Sequence, residues 1–173
     1  MELMEAIEKR RSVRKYKDTP VPMDAIDSML EAGCLAPSGG NIQPWIFGVV
    51  TDPQVVKKIR TFSPGMIGAA PCVIACCSDR ELAFSKGGEL GRDTMAVMDV
   101  CFAAQNMVLK AVELGLGTCF IKSYNEVAVR RILKLPEHIA LDVLIMVGYP
   151  VAQPNAQKRK PPAQVKFINE WSE

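Results

Sequence analysis

The sequence contains a single histidine, His138, and no pair of cysteines in a Cys-x-x-Cys spacing. Zinc sites need clusters of cysteine and histidine ligands, and serine hydrolases need a histidine base beside the nucleophile. Both classes are therefore disfavoured, and the missing cysteine pair also disfavours a dithiol oxidoreductase. The chain lacks a Gly-x-Gly-x-x-Gly motif as well, so no dinucleotide-binding fold is predicted.

Charge and hydropathy argue against two further kinds of partner. The 21 basic and 19 acidic residues leave a formal net charge of only +2, which gives no reason to expect nucleic acid. No uncharged apolar run is long enough to span a membrane, and Met1–Glu5 does not resemble a signal peptide. The six cysteines mostly lie in apolar stretches, which is typical of reduced, buried thiols. We therefore expect a cytoplasmic protein.

Hydrophobic patterning predicts one domain over residues 1–173, because 173 residues of which 49% are hydrophobic can build their own core. Helical and strand patterns alternate without an internal repeat, so the predicted fold is an α+β (α/β-like) sandwich around one sheet. Its predicted strands are Trp45–Val50, Cys72–Cys77, Thr118–Ile121 and Leu141–Val147, with a final short strand at Val165–Ile168.

The most apolar predicted helix runs from about Asp93 to Leu114. Of the 20 residues from Met95 to Leu114, 15 are hydrophobic. Such a helix must be buried almost all round, either as the hub of the domain or at a subunit contact.

Other helix boundaries follow from capping residues. Pro22 and Asp52-Pro53 mark helix starts, and Ser123–Glu126 fits a capping box for a later helix. The polar segment Asp79–Gly91 lacks clear periodicity and is predicted to be a loop, either a mobile cover over a site or a plain surface connection.

A cationic cluster, Arg10-Arg11-Ser12-Val13-Arg14, follows the first predicted helix. Each guanidinium presents a planar fork of donors that matches phosphate oxygens, so the cluster could cradle a phosphate. A solvated helix end would have the same composition. From the motif alone, a phosphate site and a solvated helix end both remain possible interpretations.

A second polar motif, Pro37–Trp45, concentrates small and amide-bearing residues just before a predicted strand. Small residues let a ligand approach the backbone closely, and the amides of Asn41 and Gln43 each offer a donor and an acceptor. The mixture suits an uncharged heterocycle, although an ordinary turn would use the same residues.

Taken together, these motifs resemble the FMN-dependent nitroreductase family. Arg-Arg-Ser-x-Arg is followed about two dozen residues later by Pro-Ser-x-x-Asn-x-Gln-Pro-Trp, and three further segments agree in order over nearly the whole chain. The resemblance implies a central, mostly antiparallel sheet flanked by helices, with a long buried central helix. It also implies a homodimer with FMN at the subunit interface, and a C-terminal segment, 151–173, extended on the partner subunit. The agreeing segments are Ala103–Asn106, Leu114–Thr118 and Val147–Pro150 with Lys158–Pro161.

The resemblance also assigns the residues that hold the FMN phosphate and ribityl chain. Arg10, Ser12 and Arg14 would bind them, with Arg11 beside, and a cation from the far end of the chain would close on the phosphate. That cation is Arg159 or Lys160.

Contacts to the flavin ring are implied for two other segments. One would reach the flavin of the partner subunit, with Gln43 nearer the ribityl and ring edge. The other would pass the reactive edge of the ring, where a backbone N–H can bond flavin N5. The first comprises Pro37, Ser38, Gly39 and Asn41, and the second comprises Phe120, Ile121, Lys122 and Ser123.

Lys122 and Ser123 depart from the family pattern, which has an acidic residue followed by glycine at this point. A lysine reverses the charge beside the flavin and could alter its potential or substrate choice. Alternatively, Lys122 points to solvent.

The implied activity is hydride transfer from NADH or NADPH, through flavin N5, to nitroaromatics, quinones or similar electron-poor small molecules in a ping-pong mechanism. No side chain is required as a catalytic acid or base, and no metal is expected. Alternative activities for the same fold are dehalogenation, enone reduction and flavin breakdown. A further alternative is a non-catalytic flavin-binding protein.

Overall fold

The computed structural model describes residues 1–171, which form a four-stranded sheet with helices on both faces. The strand order is β1-β2-β4-β3, and every neighbouring pair is antiparallel. The predicted antiparallel sheet is therefore confirmed, with three of its four strands slightly longer than expected. The strands are β1 Trp45–Val50, β2 Cys72–Asp79, β3 Gly117–Ile121 and β4 Ile139–Gly148.

Six α-helices connect and cover these strands. The Asp52 carboxylate accepts from the N–H groups of Gln54 and Val55, which confirms Asp52-Pro53 as a helix start. The capping box predicted at Ser123 is wrong by two residues, because Asn125 caps that helix and accepts from the Ala128 N–H. The helices are α1 Leu3–Lys9, α2 Met23–Cys34, α3 Pro53–Thr61, α4 Arg80–Leu90, α5 Ala96–Glu113 and α6 Glu126–Leu133.

The loop predicted over residues 79–91 is wrong, since these residues form α4. The Asp79 side chain caps the helix by accepting from the Leu82 N–H at 2.8 Å. Arg80 then ties the helix to β4 through an ion pair of 2.6 Å with the buried Asp142. A short π-helical segment, Gly91–Met95, joins α4 to α5. This segment is therefore a helix and not a mobile loop that covers a site.

The core lies on both faces of the sheet. Helices α2 and α5 pack on one face and α3 and α6 on the other. By length and composition alone the helical run Arg80–Glu113 could cross a membrane. Eight residues of α5 are nevertheless buried inside this fold, which is the pattern of a core helix. The buried residues of α5 are Ala96, Asp99, Val100, Ala103, Ala104, Met107, Val108 and Ala111.

Within one chain the central helix is buried on one side only, so its predicted burial almost all round would require a subunit contact on the other side. Met98 and Phe102 are 49% and 44% exposed, and Cys101 between them is exposed too. Of the six cysteines, Cys34 and Cys101 are exposed and the other four are buried. One side of α5 thus serves the core, and the other presents apolar side chains without a cover.

The strand predicted at Val165–Ile168 is absent. Residues 151–171 run along the surface, with a single 3₁₀ turn at Pro162–Gln164, because no neighbouring strand is available for pairing there. Four large apolar side chains in the last part of this segment, residues 165–171, are exposed, and the rings of Phe167 and Trp171 meet edge to face with centroids 5.6 Å apart. The four are Val165, Phe167, Ile168 and Trp171.

Candidate functional site

The segment that carries the arginine cluster lies against β3. The Val13 N–H donates to the Thr118 carbonyl at 2.8 Å, and Ser12 pairs with Thr118 in a parallel bridge. Glycine is required opposite, because a Cβ on Gly117 would lie 2.6 Å from the Val13 side chain. Residues 10–14 and 117–121, which are far apart in sequence, therefore form one side of the candidate site.

Alternation along the segment separates core from site. Val13 is buried, whereas Ser12 and Arg14 are exposed. The Tyr16 hydroxyl donates to the Val13 carbonyl at 2.5 Å, and burial raises the Tyr16 pKa, so it stays a neutral donor. Ser12 and Arg14 line a cavity of about 290 Å³, whose opposite wall is formed by residues 151–154.

Two cations of this segment, Arg10 and Arg14, have no counter-ion among the described residues. No carboxylate lies within 4.0 Å of Arg10 or Arg14 in residues 1–171. Burial raises the pKa of the Cys119 thiol, and the charges of Arg14 and Arg10 and a hydrogen bond from Ser12 partly oppose that rise. The two arginines and the serine thus all lie near Cys119 of β3. An unpaired pair of guanidinium groups there favours an anion.

Arg11 faces a different set of partners from its neighbours. Its guanidinium donates to the carbonyl of Glu8 and, at 2.9 Å, to that of Arg10. Both contacts satisfy carbonyls at the C-terminal end of α1. We therefore interpret Arg11 as a helix cap, with its assignment to the FMN site remaining a prediction.

A glycine-containing loop, 62–70, connects the arginine segment to the residues after β3. The Gly65 N–H donates to the Ser123 carbonyl at 3.0 Å, and the Asn125 N–H donates to the Phe62 carbonyl at 2.7 Å. At Gly68 (φ 100°) the loop passes so close to the Arg14 carbonyl that a Cβ would overlap it. This connecting role of the loop was not predicted from the sequence, in which only Gly65 and Gly68 indicate it.

We expect Gly68→Ala to destabilise the protein by at least about 2 kcal/mol. The alanine would have to adopt the left-handed backbone of Gly68, and its Cβ would overlap the Arg14 carbonyl. The measurement is the midpoint of urea unfolding. Gly115 (φ 72°) has nothing within 4 Å of a built Cβ, so Gly115→Ala isolates the backbone effect and should cost only about 1 kcal/mol. Equal losses in the two variants would show that the contact with Arg14 is unimportant.

The residues after β3 place a positive charge at the end of the strand. Phe120, Lys122 and Ser123 are exposed, and Ile121 is buried. The Lys122 ammonium donates to the Tyr124 hydroxyl at 3.3 Å and lies 5.3 Å from the centre of that ring. The Tyr124 hydroxyl donates in turn to the Leu141 carbonyl at 2.8 Å. Lys122 is therefore held along Tyr124, so its charge stays near the strand end.

The Pro37–Gln43 loop is built by local hydrogen bonds. The Ser38 hydroxyl accepts from the Gln43 N–H at 3.0 Å, and the Gln43 side-chain amide donates to the Asn41 side-chain oxygen at 3.1 Å. Asn41 and Gln43 both have left-handed backbones, with φ of 55° and 54°. Such strain, of about 1–2 kcal/mol for each non-glycine residue, is common where a loop is shaped for a ligand.

Within one chain this loop and the arginine segment face different cavities. Pro37, Ser38 and Gly39 line a cavity of about 250 Å³ with residues of α5, and it shares no lining residue with the cavity at Arg14. The two motifs therefore line separate cavities within one chain, and a ligand shared between two chains stays what the resemblance implies.

Arg159 and Lys160 lie on the C-terminal segment, and both are exposed. The only hydrogen bond from Arg159 among the described residues goes to the Lys158 carbonyl at 3.4 Å. The start of the segment is anchored, since the Gln153 amide donates to the Lys9 carbonyl at 2.8 Å. The role of Arg159 and Lys160 at the phosphate therefore stays a prediction.

Comparison with known proteins identifies the family. The model of the nitroreductase family matches residues 7–64 and 60–149. An NADH dehydrogenase/NAD(P)H nitroreductase of Methanothermobacter thermautotrophicus is 33% identical over 99% of this chain and 88% of its own length. An FMN reductase (NADPH) of Bacillus subtilis is 27% identical over 98% of this chain and 74% of its own length.

A solved structure supports the same assignment. The crystal structure of an NADH dehydrogenase/NAD(P)H nitroreductase from Parabacteroides distasonis matches with a TM-score of 0.84 and 34% identity over 98% of both chains. The fold, the order of motifs and the sequence agree over nearly the full length. This chain belongs to the nitroreductase family.

Proposed function

We propose that this protein transfers electrons from NADH or NADPH, by way of bound FMN, to nitroaromatics, quinones or similar electron-poor rings. The chain is an NAD(P)H-dependent oxidoreductase that uses FMN, as its family and its relatives named NAD(P)H nitroreductase and FMN reductase indicate. The acceptor class and the ping-pong order of binding are proposals. The observation that supports FMN binding by this chain is the position of Ser12 and Arg14 alongside β3, with no carboxylate within 4.0 Å of Arg10 or Arg14 among residues 1–171.

The residues present fit FMN in charge and in hydrogen bonding. Arg10 and Arg14 supply two cations for the phosphate, neither of which has a counter-ion within residues 1–171, and Ser12 supplies a hydroxyl. In the part of the chain that the structure describes, the backbone N–H groups of Lys122 and Ser123 donate to no protein acceptor. Free N–H groups at a strand end can bind the polar edge of a ring.

The chain's part in the reaction is to bind and orient. When bound, FMN would supply the redox chemistry, which is acceptance of a hydride from one substrate and release of electrons to a second. Because these are two separate half-reactions, we infer ping-pong kinetics. Arg10, Ser12 and Arg14 would hold the phosphate end. The backbone at Lys122 and Ser123 would hold the polar edge of the ring. The Lys122 ammonium, fixed on Tyr124, favours negative charge at that edge.

We further propose a homodimer with two shared sites. The exposed apolar side of α5, Met98 with Phe102, adjoins the cavity lined by Pro37–Gly39. Pairing two copies through α5 would cover these side chains, and it would bring the Pro37–Gln43 loop of one chain to the arginines of the other. The exposed apolar side chains of residues 165–171 support the further proposal that the C-terminal segment packs on the partner subunit.

Residues 1–173 are proposed as one domain, located in the cytoplasm. Six free cysteines, four of them buried, fit a reducing compartment.

Cofactor content tests the proposal directly. The purified protein should be yellow, should release FMN on denaturation, and after stripping should bind added FMN with one equivalent per chain. A colourless protein that does not take up FMN would contradict the proposal.

A further inference from the structure

One carboxylate of α5 contacts the Pro37–Gln43 loop from behind. Asp99 is only 3% exposed, and its two side-chain oxygens lie 3.1 and 3.3 Å from the Gly39 N–H. The two residues are 60 positions apart in sequence. Among residues 1–171 the carboxylate has no other hydrogen-bond partner and no cation within 4.0 Å.

Met95, one helical turn before Asp99, contacts the same residue of the loop. A Cβ built on Gly39 would overlap the end of the Met95 side chain, so the methionine fills the space that another residue would need. Gly39 is therefore fixed by a hydrogen bond from its N–H to Asp99 of α5 and by packing against Met95, the residue just before α5. Gly39 itself, with Pro37, Ser38 and Asn41 of the same loop, is assigned to the flavin by the family resemblance.

Stability does not explain an unpaired carboxylate in this position. Burial raises the pKa of Asp99, and the Gly39 N–H opposes only part of that rise. Burying a charge without a cation costs free energy, and a neutral side chain could serve the same packing. Asn106, two turns further along α5, illustrates the alternative: its amide donates to the Ala32 carbonyl at 3.1 Å and ties α5 to α2 without a charge.

We propose that Asp99 is a positioning residue, whose hydrogen bond to the Gly39 N–H holds the Pro37–Gln43 loop in the shape that receives the flavin. The inference rests on the proposed function, since the flavin is the ligand of that loop. This role requires no contact between Asp99 and the flavin. Its effect on FMN passes through Gly39 to the backbone of Ser38–Asn41.

Three variants test this role through the dissociation constant of FMN, measured by fluorescence quenching on the stripped, full-length protein. Asp99→Leu removes the acceptor and should weaken FMN binding by about tenfold or more, as expected for loss of a hydrogen bond to a charged group. Asp99→Asn keeps a side-chain oxygen for the Gly39 N–H and should bind FMN within about threefold of the wild type. Asn106→Leu deletes a hydrogen bond of similar burial from the same helix and should leave FMN affinity unchanged.

The outcomes separate the two claims. A wild-type protein that binds no FMN overturns the proposed function and this role with it. A wild type that binds FMN, together with an Asp99→Leu variant of equal affinity, overturns the positioning role alone. Equal weakening in Asp99→Leu and Asn106→Leu, or no recovery in Asp99→Asn, also overturns it. If Asp99→Leu does not fold, Asp99→Ala takes its place with the same expectation, and urea unfolding of each apo-protein checks that folding is intact.

Discussion

Replacing Arg14 by alanine should weaken FMN binding by about 10- to 150-fold. The guanidinium lines the cavity beside Ser12 and has no carboxylate within 4.0 Å among the described residues, so it is free to bind the phosphate. A charge-assisted hydrogen bond to a phosphate contributes about 1.5–3 kcal/mol, which converts to that range of affinity. Arg10→Ala should have a similar effect. The measurement is equilibrium titration of the stripped protein with FMN.

Two matched variants show whether the loss is specific. Lys17, three residues after Arg14, is an exposed cation that lines a different cavity. Lys17→Ala should therefore leave FMN affinity unchanged. Arg11→Ala should lower stability by about 1 kcal/mol, because two carbonyls of α1 lose a donor, with a smaller effect on FMN than Arg14→Ala. Wild-type affinity in both Arg10→Ala and Arg14→Ala would remove these residues from the site.

Replacing Phe102 by glutamate should dissociate the proposed dimer. Phe102 is 44% exposed in the single chain and lines the cavity at Pro37–Gly39, so a dimer formed through α5 would bury it. An uncompensated buried charge costs about 3–5 kcal/mol, which weakens dimerisation by more than about 100-fold. FMN affinity should fall in the same variant, since each site needs both chains. Sedimentation equilibrium and FMN titration measure the two effects.

Val127→Glu provides the control for this experiment. Val127 is also an exposed apolar side chain, but it lies on α6 at the opposite face of the sheet. The variant should remain dimeric and keep its FMN. A Phe102→Glu protein that stays dimeric would rule out α5 as the interface, and a monomer with wild-type FMN affinity would rule out a shared site.

The sheet could be predicted from sequence because its strands are short, continuous apolar runs with clear boundaries. Helix α4 could not, since Gly87 and Gly88 interrupt it and its apolar residues follow no helical period. Its stability comes instead from the Asp79 cap and the ion pair of Arg80 with Asp142, which is 62 residues away. The strand predicted at residues 165–168 has the right composition but no neighbouring strand in one chain.

The candidate site was predictable in part. The arginine cluster and the Pro37–Trp45 motif are visible as local patterns, and the family resemblance gave them a common ligand. The pairing of Ser12 with Thr118, the support from Gly65 and Gly68, and the contact from Asp99 to Gly39 all join distant parts of the chain. No local sequence pattern predicts such contacts, because each depends on how the helices, strands and loops pack together.

The most direct test of the electron-transfer function is anaerobic reduction of the bound flavin. The FMN-loaded protein should lose its yellow absorbance on addition of NADH or NADPH and regain it when a quinone or a nitroaromatic is added. Steady-state rates at varied concentrations of both substrates should give the parallel double-reciprocal lines of a ping-pong mechanism. A flavin that neither nicotinamide reduces, or one that is reduced but returns no electrons to any acceptor of these classes, would contradict the proposed function.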